Sequence, residues 1–220
     1  MTYNIRNGRG RDGRVDLGRI AAVIASFDPD IVAMQEVDLS HARSSHIDQA
    51  TELAARLSMT PSYAPYVAAD DHHGIATLTR LPVLETRYLA LPGRARWISE
   101  PRCALVTRLA GGLDVVNTHL SVVPADRIAQ ASLLMGVLAG PELIVLGDFN
   151  CTARSAPFRL LSANLRPVSM TARSWPARFP IVQLDHILVR GARNVIQGGV
   201  WTEGEARRAS DHLPVFAELG

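Results

Sequence analysis

The sequence predicts an α/β fold of two similar halves, in which two β-sheets stack and helices cover their outer faces. Two observations carry this expectation. Short apolar runs rich in β-branched residues, such as 31–34 (IVAM) and 143–146 (LIVL), read as strands buried on both faces, and each ends abruptly in polar residues. The order of elements is also nearly repeated. TYNI, a helical stretch and IVAMQE are answered by VVNTHL, a helical stretch and LIVLGDFN. Asn4 then matches His119 and Glu36 matches Asp148, at offsets of 115 and 112 residues. The polar strand ends of both halves would converge on one cleft, where ligands of α/β sheets collect.

Residues 2–5 form a short β-prone run that gives way to a polar, glycine-rich loop over 6–14. Met1 stands almost inside this strand, which points to a natural start further upstream. Asp16 caps the next segment, where Leu17, Ile20, Ala21, Ile24 and Phe27 follow helical spacing. Asp28-Pro29-Asp30 ends that helix, and 31–34 leads into Gln35-Glu36. A weaker amphipathic helix spans about 47–57, followed by strand-like runs near 62–67, 75–79 and 83–89. Residues 104–109 and 113–120 read as an antiparallel pair joined across Gly111-Gly112. Pro124 opens a helix running to about Leu138. In LIVLGDFN, Gly147 stops the apolar run. Asp148 and Asn150 follow two positions apart, so in extended chain they share one face. A short helix near 157–162 precedes strands at 184–189, 195–201 and 213–219. Residues 75–83 (IATLTRLPV) answer 184–192 (LDHILVRGA) in the same repeat, and with no linker in view residues 1–220 read as a single domain.

Composition limits the chemistry. Hydrophobic content of 47% with 20% charged residues fits an ordinary globular protein. With no span-length apolar stretch and no secretory signal in view, the expected setting is cytoplasmic. Two cysteines, Cys103 and Cys151, are too few for a disulfide framework. All 23 basic residues are arginine, so lysine-based covalent catalysis is excluded and any phosphate-binding cation must be Arg. A net charge of +2 offers no overwhelming field for nucleic acid.

The candidate site residues are Asn4, Glu36, Arg102, His119, Asp148, Asn150, Asp185, Asp211 and His212. Glu36 ends a buried-looking strand, where a charge is costly unless paired or bound to metal. Oxygen ligands with few imidazoles suit Mg²⁺ or Mn²⁺ better than zinc. Such a cation polarises a phosphoryl oxygen, while a carboxylate-oriented histidine serves acid/base chemistry.

The stretches TYNI, QE, PR-x-A, NTHLS, GDFN, LDHILV and SDHLPV occur in the order found in the endonuclease/exonuclease/phosphatase superfamily, and across nearly the whole chain the sequence resembles that DNase I-like group. The resemblance implies a four-layer α/β sandwich, two packed mixed sheets flanked by helices, in agreement with the two-half reading. It also implies a divalent-metal phosphoesterase. On its motifs, Glu36 is the principal metal ligand, with Asn4 beside it and Asp211 near the metal. Asp148 orients or activates the attacking water and Asn150 holds the phosphate. His212 contacts the scissile phosphate or acts in acid/base chemistry, oriented by Asp185. His119 is a leaving-group acid, and Arg102 contacts phosphate.

Two positions depart from the family pattern. Gly74-Ile75-Ala76 stands where the family often has Gly-Asn-Ala, and Arg6 stands where the apurinic branch sometimes has an acid. Both weaken an abasic-site reading. The expected substrate is a small phosphoester or a phospholipid head group, the alternative being nuclease action on DNA. Duplex DNA is not favoured, because the near-neutral chain has short connections between most motifs. A binding module that has lost catalysis is opposed by the intact Glu36, Asp148, Asn150, Asp211 and His212. A calcineurin-type dinuclear phosphatase would need D-x-H and G-N-H motifs that the chain lacks. The loops carrying Trp97 and Trp175 could rim a pocket or touch a lipid surface, although the favoured reading of these tryptophans is as ordinary loop anchors.

Overall fold

The computed structural model of the chain describes residues 1–67, 72–94, 99–138, 140–168, 171–191 and 194–220. Each expected strand-like run forms a strand. The first half holds β1 (Thr2–Asn4), α1 (Leu17–Phe27), β2 (Ile31–Asp38), α2 (Gln49–Leu57), β3 (Thr60–Pro65) and β4 (His73–Thr79). Next come β5 (Val83–Leu91) and β6 (Arg102–Leu109). The second half holds β7 (Leu113–His119), α3 (Pro124–Val137), β8 (Glu142–Asp148), α4 (Ala156–Ser162), β9 (Arg166–Pro167) and β10 (Asp185–Arg190). The chain ends with β11 (Val195–Val200), α5 (Ala206–Ala209) and β12 (Val215–Leu219). The two-residue β9 and the one-turn α5 are too short to leave a periodic signal, so the sequence did not reveal them.

Two six-stranded mixed sheets result, in the orders β11-β12-β1-β2-β4-β3 and β5-β6-β7-β8-β10-β9. The internal repeat is visible in these orders. β1 and β2 pair in parallel around α1, as β7 and β8 do around α3. β4 lies antiparallel to β2, as β10 does to β8.

Period-two alternation explains why the strands read as continuous apolar runs. Val116, Val145 and Leu188 face α3 and α4. Their neighbours Val115, Ile144, Leu146 and Ile187 face the other sheet. Tyr3, Val32, Met34 and Leu78 likewise pack against α1 and α2. α1 starts as the sequence suggests, with the Asp16 carboxylate accepting from Arg19 N at 3.0 Å, while α2 begins at Gln49, later than the expected start near 47, where Asp48 accepts from Thr51 N at 3.0 Å.

One polar tie crosses the buried space between the sheets. Asn117 Nδ2 donates to the carbonyls of Met34 (3.1 Å) and Ala76 (2.9 Å), and its oxygen accepts from Gln35 Nε2 at 2.8 Å. Both side chains are fully buried.

Candidate active site

The polar ends of β1, β2, β7 and β8 meet at one end of the sandwich, together with the start of β10 and the turn before β12. Register does much of the alignment. His119, Asp148 and Asp185 are cross-strand partners on β7, β8 and β10, so their side chains stand abreast. Asn4 reaches over from the other sheet, donating from Nδ2 to Asp148 Oδ2 (3.1 Å) and to Glu36 Oε1 (2.9 Å).

Two site residues sit on left-handed backbone. Glu36 (φ 55°) is the extra residue of a bulge in β2, between the pairs Gln35–Ile75 and Val37–Gly74. A bulge re-aims a side chain that regular pleating would send elsewhere. Asn150 (φ 49°) follows β8, and its backbone N–H donates to Asp148 Oδ1 at 2.9 Å. Strain of this kind persists only where surroundings over-determine it. For Glu36 the surroundings include Asn7, whose amide donates to the Glu36 carbonyl at 3.2 Å and to Asp38 at 3.0 Å. Gly147 completes the geometry. At φ 151° a Cβ would fall 1.8 Å from the Thr118 carbonyl, so only glycine lets β8 lie this close to β7.

His212 is held between two carboxylates. Its Nδ1 lies 2.9 Å from Asp185 Oδ2 and its Nε2 lies 3.7 Å from Asp148 Oδ2. Asp185 Oδ2 also accepts from the Ser174 hydroxyl. Burial opposes a charge on His212, but Asp185 and then Asp148 outweigh it and push its pKa up. Burial and the Asp185 charge push Asp148 up in turn, against the pull of His212.

His119 differs. Its Nε2 accepts from Asn150 Nδ2 at 3.0 Å, and that amide is oriented by a second bond to the Leu120 carbonyl at 2.9 Å. Nδ1 must then carry the proton and donate to Tyr66 Oη at 2.7 Å. Burial, with Arg102 nearby, holds the His119 pKa well below 6.5, so this imidazole is neutral. The Arg102 guanidinium lies 4.9 Å over the Tyr66 ring and bonds Glu100, while its Nε has no partner among the described residues.

Asp211 is half exposed and faces Arg6 at 3.7 Å. The Ser210 hydroxyl beside it donates to the Asn4 carbonyl at 2.8 Å, tying the last loop to β1. Asn4, Glu36, His119, Asp148, Asn150, Asp185 and His212 are thus linked side chain to side chain. Arg102 joins through Tyr66, and Asp211 borders the group. The sequence reading missed Tyr66 and Ser174, which sit in no local pattern. It also missed the tie through Gln35 and Asn117, whose signal was a buried amide directly before Glu36 and another inside NTH.

Glu36 is the candidate ligand for a hard cation, which prefers carboxylate oxygen. The Asn4 amide N–H₂ donates to Glu36 and Asp148 while its oxygen accepts from Arg6 N at 3.1 Å, so this amide would have to turn over to offer oxygen to a cation. Asp148, Asp185 and His212 also approach one another closely enough to be considered as ligands. A cation among them would break the His212–Asp185 bond, and Asp185 already takes the Ser174 hydroxyl. The Glu36 side is the better match.

Known proteins share this fold. The chain is 28% identical over 249 residues to the uncharacterized protein YbhP of Escherichia coli K12, covering 100% of this chain and 94% of that protein. Its fold matches an endonuclease/exonuclease/phosphatase from Bacteroides vulgatus, with a TM-score of 0.81 at 22% identity, covering 100% of this chain and 97% of the other. It also matches the mannosyl-6-phosphatase Bt3783 of Bacteroides thetaiotaomicron, with a TM-score of 0.79 at 21% identity, covering 100% and 98%. The model of the Endonuclease/Exonuclease/phosphatase family matches residues 1–212, and the chain belongs to that family.

Proposed function

We propose that the protein is a divalent-metal-dependent phosphoesterase acting on a small phosphoester, free or carried on a lipid head group. Members of its family are hydrolases acting on phosphoesters. The observation that carries the reading is the convergence on Asp148 of Asn4, His119 and a His212 that Asp185 holds in place.

Asp148 is the group that orients the attacking water and takes its proton, since its raised pKa makes it a better base than an ordinary aspartate. His212 meets the scissile phosphate as an imidazolium, donating from Nε2 while Asp185 fixes the tautomer and supports the charge. Asn150 offers its amide to a phosphate oxygen, and neutral His119 and the Leu120 carbonyl hold that amide in place. His119 could act as a leaving-group acid only after gaining a proton, so His212 is the better donor. Arg102, buried against Tyr66, contributes positive charge beside His119. Glu36, with Asn4 and Asp211, would hold Mg²⁺ or Mn²⁺. When bound, the cation polarises a phosphoryl oxygen and offsets developing charge.

The mannosyl-6-phosphatase neighbour and the short connections between most strands support a small substrate over duplex DNA. The test is a panel of phosphomonoesters, phosphodiesters, phospholipids and plasmid, with Mg²⁺, Mn²⁺ or EDTA. Metal-dependent turnover of a soluble ester well above plasmid nicking is expected. Full activity in EDTA after exhaustive dialysis would overturn the metal. Efficient, steeply salt-sensitive nicking would instead restore a nuclease.

A further inference from the structure

Exposed apolar side chains stand beside the catalytic pair, outside the residues that the proposed chemistry uses. Residues 174–182 fold back on themselves. Trp175 N donates to the Val182 carbonyl at 3.0 Å, and Val182 N donates to the Trp175 carbonyl at 2.9 Å. The base of this hairpin is fastened to the site. Leu213 N donates to the Ser174 carbonyl at 2.8 Å, Ala177 N donates to the Asp211 carbonyl at 2.7 Å, and the Ser174 hydroxyl bonds Asp185. Arg207 of α5 donates to the carbonyls of Ala177 and Arg178, both at 3.2 Å.

The tip has the opposite character. Phe179 is 67% exposed, Ile181 66% and Trp175 38%, three large apolar side chains within seven residues. The hairpin bonds and two prolines, Pro176 and Pro180, hold them out from the surface, so their exposure belongs to a fixed structure. Single exposed hydrophobics are ordinary, but a group on one anchored hairpin marks an interaction site.

Charge identifies the partner. The Arg178 guanidinium lies 5.1 Å over the Phe179 ring, Arg173 precedes the hairpin and Arg207 flanks it. None of these three pairs with a carboxylate among the described residues. Under Ile181 and Val182 opens a cleft of about 700 Å³ that Arg154 and Arg173 line with Thr152 and Thr171. At a bilayer surface, apolar groups enter the acyl boundary while arginines stay level with the phosphates. A duplex nucleic acid would use the arginines but leave Phe179 and Ile181 in water. A neutral partner would cover those two but leave the guanidinium groups uncompensated.

We propose that the 174–182 hairpin docks the protein on an anionic lipid surface, with the arginine-lined cleft beside it receiving a head group and the catalytic mouth turned to the membrane. This deepens the proposed function and rests on it only for what is delivered to the site, since docking itself needs no turnover.

The test is co-sedimentation with vesicles of phosphatidylcholine alone or mixed with phosphatidylglycerol, for the native chain and for the double variant Phe179→Ser/Ile181→Ser. Hydrolysis of a soluble phosphoester and the thermal midpoint are measured in parallel. The native chain should bind the anionic vesicles and bind neutral ones at least about tenfold more weakly. The double variant should lose about tenfold or more in anionic-vesicle binding, because two apolar side chains no longer leave water. Its soluble activity and thermal midpoint should stay unchanged. Equal binding by native chain and variant, or equal binding to both vesicle types, would overturn the proposal. So would binding that duplex DNA displaces and that only arginine substitutions weaken, which would mark a nucleic-acid face. Docking by the native chain without any hydrolysis of the soluble phosphoester would count against the phosphoesterase reading alone.

Discussion

Acid should destabilise this fold through His186, the residue next to Asp185 on β10. Strand alternation sends His186 away from the site and into the core against α4, where its ring lies 5.2 Å from Phe149 and 4.7 Å from Phe158. Nε2 lies 2.8 Å from the Cys151 carbonyl and must donate to it, so the ring is held as the neutral Nε2–H tautomer. Burial lowers its pKa from 6.5 to about 4, with the Cys151 bond and Asp185 acting weakly the other way. Between those values the unfolded chain holds a proton that the folded chain lacks. Stability therefore falls as pH drops from about 6.5, and the loss is complete below about 4. That gap corresponds to roughly 3 kcal/mol. The perturbation is His186→Gln, which keeps a donor within reach of the carbonyl but does not titrate. Near pH ~7 the variant should be less stable by roughly 1 kcal/mol, for lost ring packing. Near pH ~4 the order should reverse, because only the native chain carries the protonation cost. Urea unfolding at several pH values gives the difference directly, and other titrating groups cancel in it. Parallel stability curves for the two proteins across this range would refute the reasoning.

Asp185→Asn should leave the fold intact, lower turnover by roughly 10²-fold or more, and move the alkaline limb of the rate profile to lower pH. The double variant with His212→Ala should be no slower than His212→Ala alone, and additive losses would separate the two residues. Glu36→Gln should raise the Mg²⁺ or Mn²⁺ concentration needed for half-maximal rate without moving the thermal midpoint appreciably. An unchanged metal requirement would remove Glu36 from the cation site. Asn117→Ala should cost about 2–4 kcal/mol in urea unfolding, by removing three buried hydrogen bonds between the sheets, although Gln35 Nε2 keeps Thr2 and the Ala33 carbonyl. A loss below roughly 1 kcal/mol would mean that water or neighbours replace those bonds. Gly147→Ala should destabilise by on the order of 3 kcal/mol or prevent folding, and a neutral outcome would show that β7 and β8 can separate freely.

The layers of the fold were legible because the halves repeat the same pattern, and buried strands leave long apolar runs bounded by caps and turns. The clustering of the candidate residues was legible for a related reason: a carboxylate directly after a buried strand is conspicuous at Glu36 and Asp148. Partnerships were harder to read. Tyr66 lies 53 residues from His119 and touches it only because β3 and β4 fold against β6 and β7. Ser174 lies in an irregular stretch and meets Asp185 through the hairpin that follows it. The bulge at Glu36 also left no mark, because one extra residue in a strand does not alter its composition. The aromatic reading of the loops divides in the same way. Trp175 is part of an ordered hairpin, while Trp97 lies outside the described residues.

The repeat also explains how one architecture yields two different strand ends. β2 and β8 occupy the same place in their sheets, and each finishes in a carboxylate. At β2 the bulge turns Glu36 to a half-open position, where the proposed hard cation could keep bound water. At β8 no bulge intervenes, and Gly147 draws the strand against β7, so Asp148 stays buried among His119, Asn4 and His212. There its ionised form is disfavoured and it becomes a better base. The partner strands differ as well. Ile75 on β4 is a buried apolar residue packed against Cys103 and Leu105, whereas the corresponding strand β10 opens with Asp185. The first half therefore has no carboxylate on that strand to hold a histidine, and the second half has one. The proposed division of labour, a cation end and a proton-transfer end, would follow from one bulge, one glycine and one aspartate laid over two otherwise matching halves.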